Sequence, residues 1–138
     1  MSKQSFPLQS LTLTADGAVA VHRGVGYDGA QATVQGQKII GVSRYAAATG
    51  EAFAADTAGT TVIETGDEIA VGDSLIVDSS GRAIPVSGEI AIGAGATQVT
   101  SSAANGAILT GGDLPEFVFA DALQAASGAG EFIEVKLR

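Results

Sequence analysis

The sequence predicts a mainly β protein: a compact β-sandwich or β-barrel-like domain with short helical turns and an extended N-terminal arm. Three observations carry this reading. Through residues 66–86 apolar side chains alternate with polar or small ones: Ile69 with Val71, Leu75 with Val77, Ile84 with Val86. That two-residue period marks strands with one buried face. The run is punctuated by Gly72-Asp73 and by Asp78-Ser79-Ser80-Gly81, residue types that close hairpin loops. The same alternation returns at residues 131–137, which read as a final strand.

Taken in order, residues 1–9 form the arm, with Pro7 opposing helix there. Strands are expected at 10–14 and 18–23, joined by the Ala15-Asp16-Gly17 turn, followed by a glycine-rich loop over 24–29. A further strand is expected at 38–44. An alanine-rich bend or helical turn at 45–49 is closed by Gly50 and followed by strands at 51–54 and 60–64. After the hairpin unit comes a stretch rich in Gly, Ala and Ser, residues 88–112, with room for two short strands and a mobile loop around 100–105. Residues 117–119 are apolar, and 121–126 read as one or two helical turns before the last strand.

One internal similarity stands out. Residues 41–56, GVSRYAAATGEAFAAD, and 119–135, FADALQAASGAGEFIEV, share a plan: an entry segment, a run of Ala with Ser or Thr, then Gly-Glu opening an extended segment. The Gly-Glu steps are Gly50-Glu51 and Gly130-Glu131, and the match suggests two related halves of one β-structure.

Composition narrows the function. At 138 residues the chain has the size of one domain. With 25 Ala and 19 Gly its core side chains are small and contribute little apolar area each, a reason to gain stability against copies of itself or a partner. The net charge is −8, and the seven basic residues are scattered, which argues against nucleic acid and anionic lipid as partners. No Cys is present, so thiolate metal sites and disulfides are excluded.

The candidate chemical motifs each meet a plainer explanation. Gly24, Gly26 and Gly29 spell GxGxxG, but the AQATVQG that follows is too short and too β-prone to supply the helix N-terminus that a dinucleotide needs. No Gly-Lys-Ser/Thr occurs. His22, the single histidine, falls within the expected strand at 18–23, on its more polar face, without the second His or Cys that zinc or nucleophilic catalysis would want. Asp67, Glu68, Asp73 and Asp78 lack the spacing of an EF-hand loop and are placed as turn formers, with a structural cation as the alternative. The hairpin around Asp73 lacks the lysine that a biotinyl or lipoyl carrier presents. The reading is a protein that is not an enzyme, with no cofactor and no metal.

Several segments together resemble the capsid decoration, or cement, proteins of tailed bacteriophages. They are Asp16-Gly17-Ala18-Val19, then Ile40-Gly41-Val42 running into Ala46-Ala47-Ala48-Thr49-Gly50-Glu51, the hairpin VGDSLIVDSSGRAIPV, and the ending ALQAASGAGEFIEVKL. The likeness spans Ala15 to the C-terminus, leaving the arm and residues 24–36 without a counterpart. It implies a structural virion protein on the outer capsid surface, made in the host cytoplasm. Its partners would be the major capsid protein, whose subunits it bridges, and itself, as a homo-oligomer with a trimer favoured over a dimer. The family brings no catalytic residues. Residues 10–138 are then a single capsid-binding domain behind the arm. Phe6, Leu8, Arg23, Tyr27, Arg44 and Tyr45 are the candidate partner contacts, since aromatic and Arg side chains are enriched where binding energy concentrates. The competing reading is a carbohydrate- or cell-surface-binding β module of a phage fibre or adhesin.

Overall fold

The computed structural model describes residues 4–87 and 115–138. Eight strands are present there: β1 Phe6–Thr14, β2 Gly24–Val25, β3 Gly41–Ser43, β4 Ala52–Glu64, β5 Ser74–Val77, β6 Ala83–Pro85, β7 Ala120–Ala122 and β8 Phe132–Leu137. They form one antiparallel sheet in the order β2-β3-β4-β8-β7-β5-β6, with β1 added to β4. The sheet curls until its ends meet. Gly24 N donates to Gly81 O at 2.7 Å, and Gly36 N to Val77 O at 2.8 Å. A Cβ on Gly24 would lie 2.6 Å from Val77 Cγ1, so only glycine lets the two ends approach this closely. The outcome is the expected β fold, a nearly closed barrel-like sheet.

The 13-residue β4 organises the molecule. It merges the two strands expected at 51–54 and 60–64, because Ala55 to Ala58 stay in the strand and Gly59, at φ +97°, lets it continue past a close approach to β1. Asp56 pairs with both Ser10 and Val42, and Thr60 with both Phe6 and Lys136. Thus β1 follows one edge of β4, while β3 and β8 share the other in succession.

The suspected internal similarity is a repeat of most of the strand framework, with the β5–β6 hairpin found in the second half alone among the described residues. Residues 15–25 superimpose in role on 65–75, 41–47 on 120–126, and 50–56 on 130–136. Strand pairing proves it: Thr14↔Ala52 is repeated as Glu64↔Phe132, Val42↔Asp56 as Asp121↔Lys136, and Val25↔Gly41 as Leu75↔Ala120. The bridges between strands repeat too. Val19 and Ala47 exchange two bonds of 2.9 Å, and Ile69 and Ala126 exchange bonds of 3.0 and 2.9 Å. In both Gly-Glu steps the glutamate folds back on the preceding turn, Glu51 accepting from Ala48 N at 2.8 Å and Glu131 from Ser127 N at 3.1 Å.

Equivalent positions of the two repeats anchor two core clusters, the larger of which also takes in Ala32, Ile39 and Val42 from the first half. Leu13, Ala15, Val19, Val25, Ala47, Phe53 and Ala55 pack together in the first. Their counterparts Ile63, Ile69, Leu75, Ala126, Ile133 and Val135 lie in the second, where Thr65 replaces Ala15 and Val77, Ala83, Ala120, Phe119 and Leu137 enlarge the cluster. Thr65 is fully buried, its hydroxyl donating to Gly128 O at 2.7 Å.

Several local expectations change. Residues 121–126 are not helical: Ala120–Ala122 is β7, drawn into the sheet between β5 and β8, and a bend and the Ala126 bridge follow. The bend at 45–49 is likewise a bridge and turn, and no helix occurs among the described residues. The strand expected at 18–23 reduces to the Val19 bridge and a turn. The strand expected from Ser10 reaches back to Phe6, with register shifts on both sides of Gln9, so residues 6–9 lie paired on β4. Residues 88–112 lie outside the described residues.

Candidate interaction surface

The turn acids are explained by local bonding. Asp67 Oδ1 accepts from Glu68 N, Asp73 Oδ2 from Ala70 N, and Asp78 Oδ1 from Ser80 N and Arg82 N, each at 2.8–2.9 Å. Asp78 Oδ2 also holds Arg82 Nε at 2.8 Å. These carboxylates point along their own turns and do not converge. No group of three or more metal-ligating side chains occurs among the described residues.

His22 differs from its expected place. It sits in a turn with φ +58°, the left-handed conformation that its counterpart Gly72 adopts at +91°. An L side chain there costs about 1 kcal/mol. The compensation is at the junction of the repeats: His22 O accepts from Glu64 N at 3.1 Å, and its Nδ1 lies 3.0 Å from Val62 O, which makes Nδ1 the protonated nitrogen. Its ring meets the edge of Phe132 at 5.5 Å. His22 thus caps the edge of β4 beyond the end of β1.

The other sequence candidates fall into two groups. Arg23 turns inward, its guanidinium 2.6 Å from Glu64 Oε2 and 3.0 Å from Ser80 O. Arg44 reaches Asp56 at 3.4 Å. Phe6, Leu8, Tyr27 and Tyr45 are exposed, Leu8 at 87 %.

Phe6 and Leu8 belong to the most open element of the molecule. One edge of β1 pairs with β4; its other edge pairs with no strand among the described residues. Almost all its side chains are exposed, Leu11 included. What holds β1 is Asp56, a fully buried acid missed by sequence reasoning. Its carboxylate accepts from Ser10 Oγ at 2.6 Å and Thr61 Oγ1 at 2.9 Å and faces Arg44. Thr57 Oγ1 adds a contact to Gln9, 3.1 Å from its side-chain oxygen.

Thr57 also floors a groove of about 170 Å³. Where β3 leaves β4 at Asp56 and β8 joins at Thr60, the shared edge forks, and the gap is walled by Ile40, Leu137 and Val118. Tyr27 and Phe117 stand exposed at its rim, with Lys38 Nζ 5.6 and 5.9 Å from their ring centres. Lys38 and Phe117 were not singled out from sequence, because four chain segments must fold together before they become neighbours.

An open apolar edge strand and a rim of exposed rings, on a sheet whose acids are taken up by its own turns and strands, are surfaces suited to contact with another molecule. The chain belongs to the phage cement protein family, whose model matches residues 4–137. It is a structural decoration protein of the phage particle, located at the capsid surface, and not an enzyme. A solved structure described as the N base of head fiber gp8.5 in bacteriophage phi29 is similar to it, with TM-score 0.62 and 17% identity over 94% of this chain and 93% of that one. At that identity the likeness establishes a shared fold. No curated protein matches the sequence.

Proposed function

We propose that the chain binds the outer face of the assembled capsid and bridges neighbouring subunits of the major capsid protein. It acts there as a homo-oligomer, a trimer in preference to a dimer, with arm and domain engaged together. The observation that carries this reading is β1: a nine-residue edge strand, pinned by a buried carboxylate, that leaves Phe6 and Leu8 in solvent. Monomeric proteins blunt such edges with charge, proline or bulges, or cover them. Pro7 and the register shifts at Gln9 do so over residues 6–9, while Ser10–Thr14 run regularly. Here residues 6–14 carry no charged side chain. Modest contacts of this kind, multiplied by capsid symmetry, add up to lasting attachment.

The test is co-sedimentation with capsids stripped of this protein. Saturable binding at a fixed copy number per shell subunit is expected, and Leu8→Asp weakens it. No binding to immature or expanded capsids overturns the proposal. The likeness to a head-fiber base favours a second reading, a module of a phage fibre or adhesin that binds carbohydrate or a cell surface. Glycan-array binding by the isolated protein, without capsid binding, would support it.

A further inference from the structure

We infer that the forked groove takes an acidic, extended segment of the capsid protein, with a carboxylate on Lys38 and an adjacent apolar side chain between Tyr27 and Phe117. This rests on the capsid-binding reading above and names the chemistry of one contact within it.

Charge is the first argument. The chain carries 15 acids against seven bases, yet among the described residues no Asp or Glu lines this groove. Of its two cations, Arg138 is already paired with Asp121 at 2.6 Å. Lys38 has no carboxylate within ion-pair distance among the described residues and is held only by the two rings. An exposed ammonium between aromatic faces keeps its charge available while its stem stays positioned. Such a point on an otherwise acidic protein selects an anionic partner and rejects basic ones, the usual part played by charge at an interface.

Backbone geometry is the second argument. On the edge shared by β3 and β8, residues 57–59 of β4 have no strand partner. A gap in a sheet edge suits an extended peptide, whose main chain can meet the unpaired edge at Thr57 while alternate side chains enter the groove. Ile40, Val118 and Leu137 supply apolar walls for them above Thr57. The same gap is joined to β1 through the Thr57–Gln9 contact, so one partner segment can touch both.

The experiment places p-benzoylphenylalanine at Tyr27, which is 64% exposed, and irradiates the full-length protein bound to stripped capsids. Mapping the cross-linked peptide is expected to find a segment of the major capsid protein containing Asp or Glu. In parallel, Lys38→Glu is expected to weaken capsid binding about tenfold without shifting thermal unfolding, while Lys136→Glu, an exposed cation outside the groove, changes it less than about twofold. Cross-links to a basic segment or to another copy of this chain overturn the inference. So does full-strength binding by Lys38→Glu, and in both cases the capsid-binding reading survives. If the unsubstituted protein fails to pellet with capsids, that reading falls first and takes the groove assignment with it.

Discussion

The two repeats share their pairing pattern and differ in what surrounds their first strands. In the second repeat that strand is the later half of β4, with β8 on one edge and β1 and then His22 on the other. Ile63 and Thr61 there are buried. In the first repeat it is β1, whose outer edge pairs with nothing described, and whose counterparts Leu13 and Leu11 are partly and substantially exposed. The same β unit is thus finished internally in one half and left open in the other. The second repeat supplies most of the larger core, with Ala32, Ile39 and Val42 added from the first half, and the first repeat supplies the open edge.

The largest test of this contrast is at the position where the halves diverge most in charge. Asp56 is buried under β1, and its counterpart Lys136 is exposed. Asp56→Ala takes the acceptor from the hydroxyls of Ser10 and Thr61 and leaves Arg44 without its acid. Arg44 and Ser10 can turn to water, but the buried Thr61 hydroxyl loses its charged acceptor, a cost of about 1.5–3 kcal/mol. Lys136→Ala should change stability by less than about 0.5 kcal/mol. Urea titrations followed by far-UV circular dichroism would compare the two, and equal effects would mean that Asp56 does not hold the strand.

A second test concerns the turn within the first matched segment of each repeat, at His22 and Gly72. Gly72 has open space around it, so Gly72→Ala is opposed only by its φ of +91° and should cost about 1–2 kcal/mol. At His22 the order inverts. His22→Ala keeps the backbone cost and loses the ring bond to Val62 O, about 1 kcal/mol. His22→Gly loses the bond but relieves the backbone, and the two changes of about 1 kcal/mol nearly offset. Glycine should therefore be better tolerated than alanine at 22, read from urea midpoints. The reverse order would mean that the left-handed backbone at 22 carries no strain.

Much of this architecture is legible in the sequence, and the gaps have physical causes. Alternation located β5, β8 and the later part of β4, because those strands bury one face. It failed at Ala120–Ala122, where alanine's helical preference is overridden by pairing on both edges. It also undersized β1, since a strand buried on neither face has no pattern to read. The repeat was visible only at its Gly-Glu steps. Its other half, Ala20-Val21 against Ala70-Val71, is a two-residue match that pairing alone makes meaningful. Phe6, Leu8, Tyr27 and Tyr45 were found by residue type and are exposed, whereas Arg23 of the same type is spent inside the molecule. Lys38 and Asp56 carried no local signal: a fork in a sheet and a buried pin exist only after distant segments meet.

The smallest expected effect is one of pH, and it too separates the halves. The second repeat carries an ion pair, Asp121 with Arg138, where the first has Val42 and Ala58. Arg138 donates to both oxygens of Asp121, at 2.6 and 3.0 Å. That bonding, with the nearby positive charges, holds the Asp121 carboxyl below its ordinary value of 3.8. A carboxyl with a depressed folded pKa binds fewer protons when folded than when unfolded. Its stabilisation is therefore complete above the unfolded value and is lost as the pH falls through the folded one. Because both side chains are largely solvated, screening keeps the effect small, and it should weaken further in salt. Melting curves of the protein and of Asp121→Asn should run closest together at the acid end, below 3.8, and separate as the pH rises through that value. A gap that stays constant across the range would show that the pair acts through shape alone, and the second repeat would owe nothing to its charge.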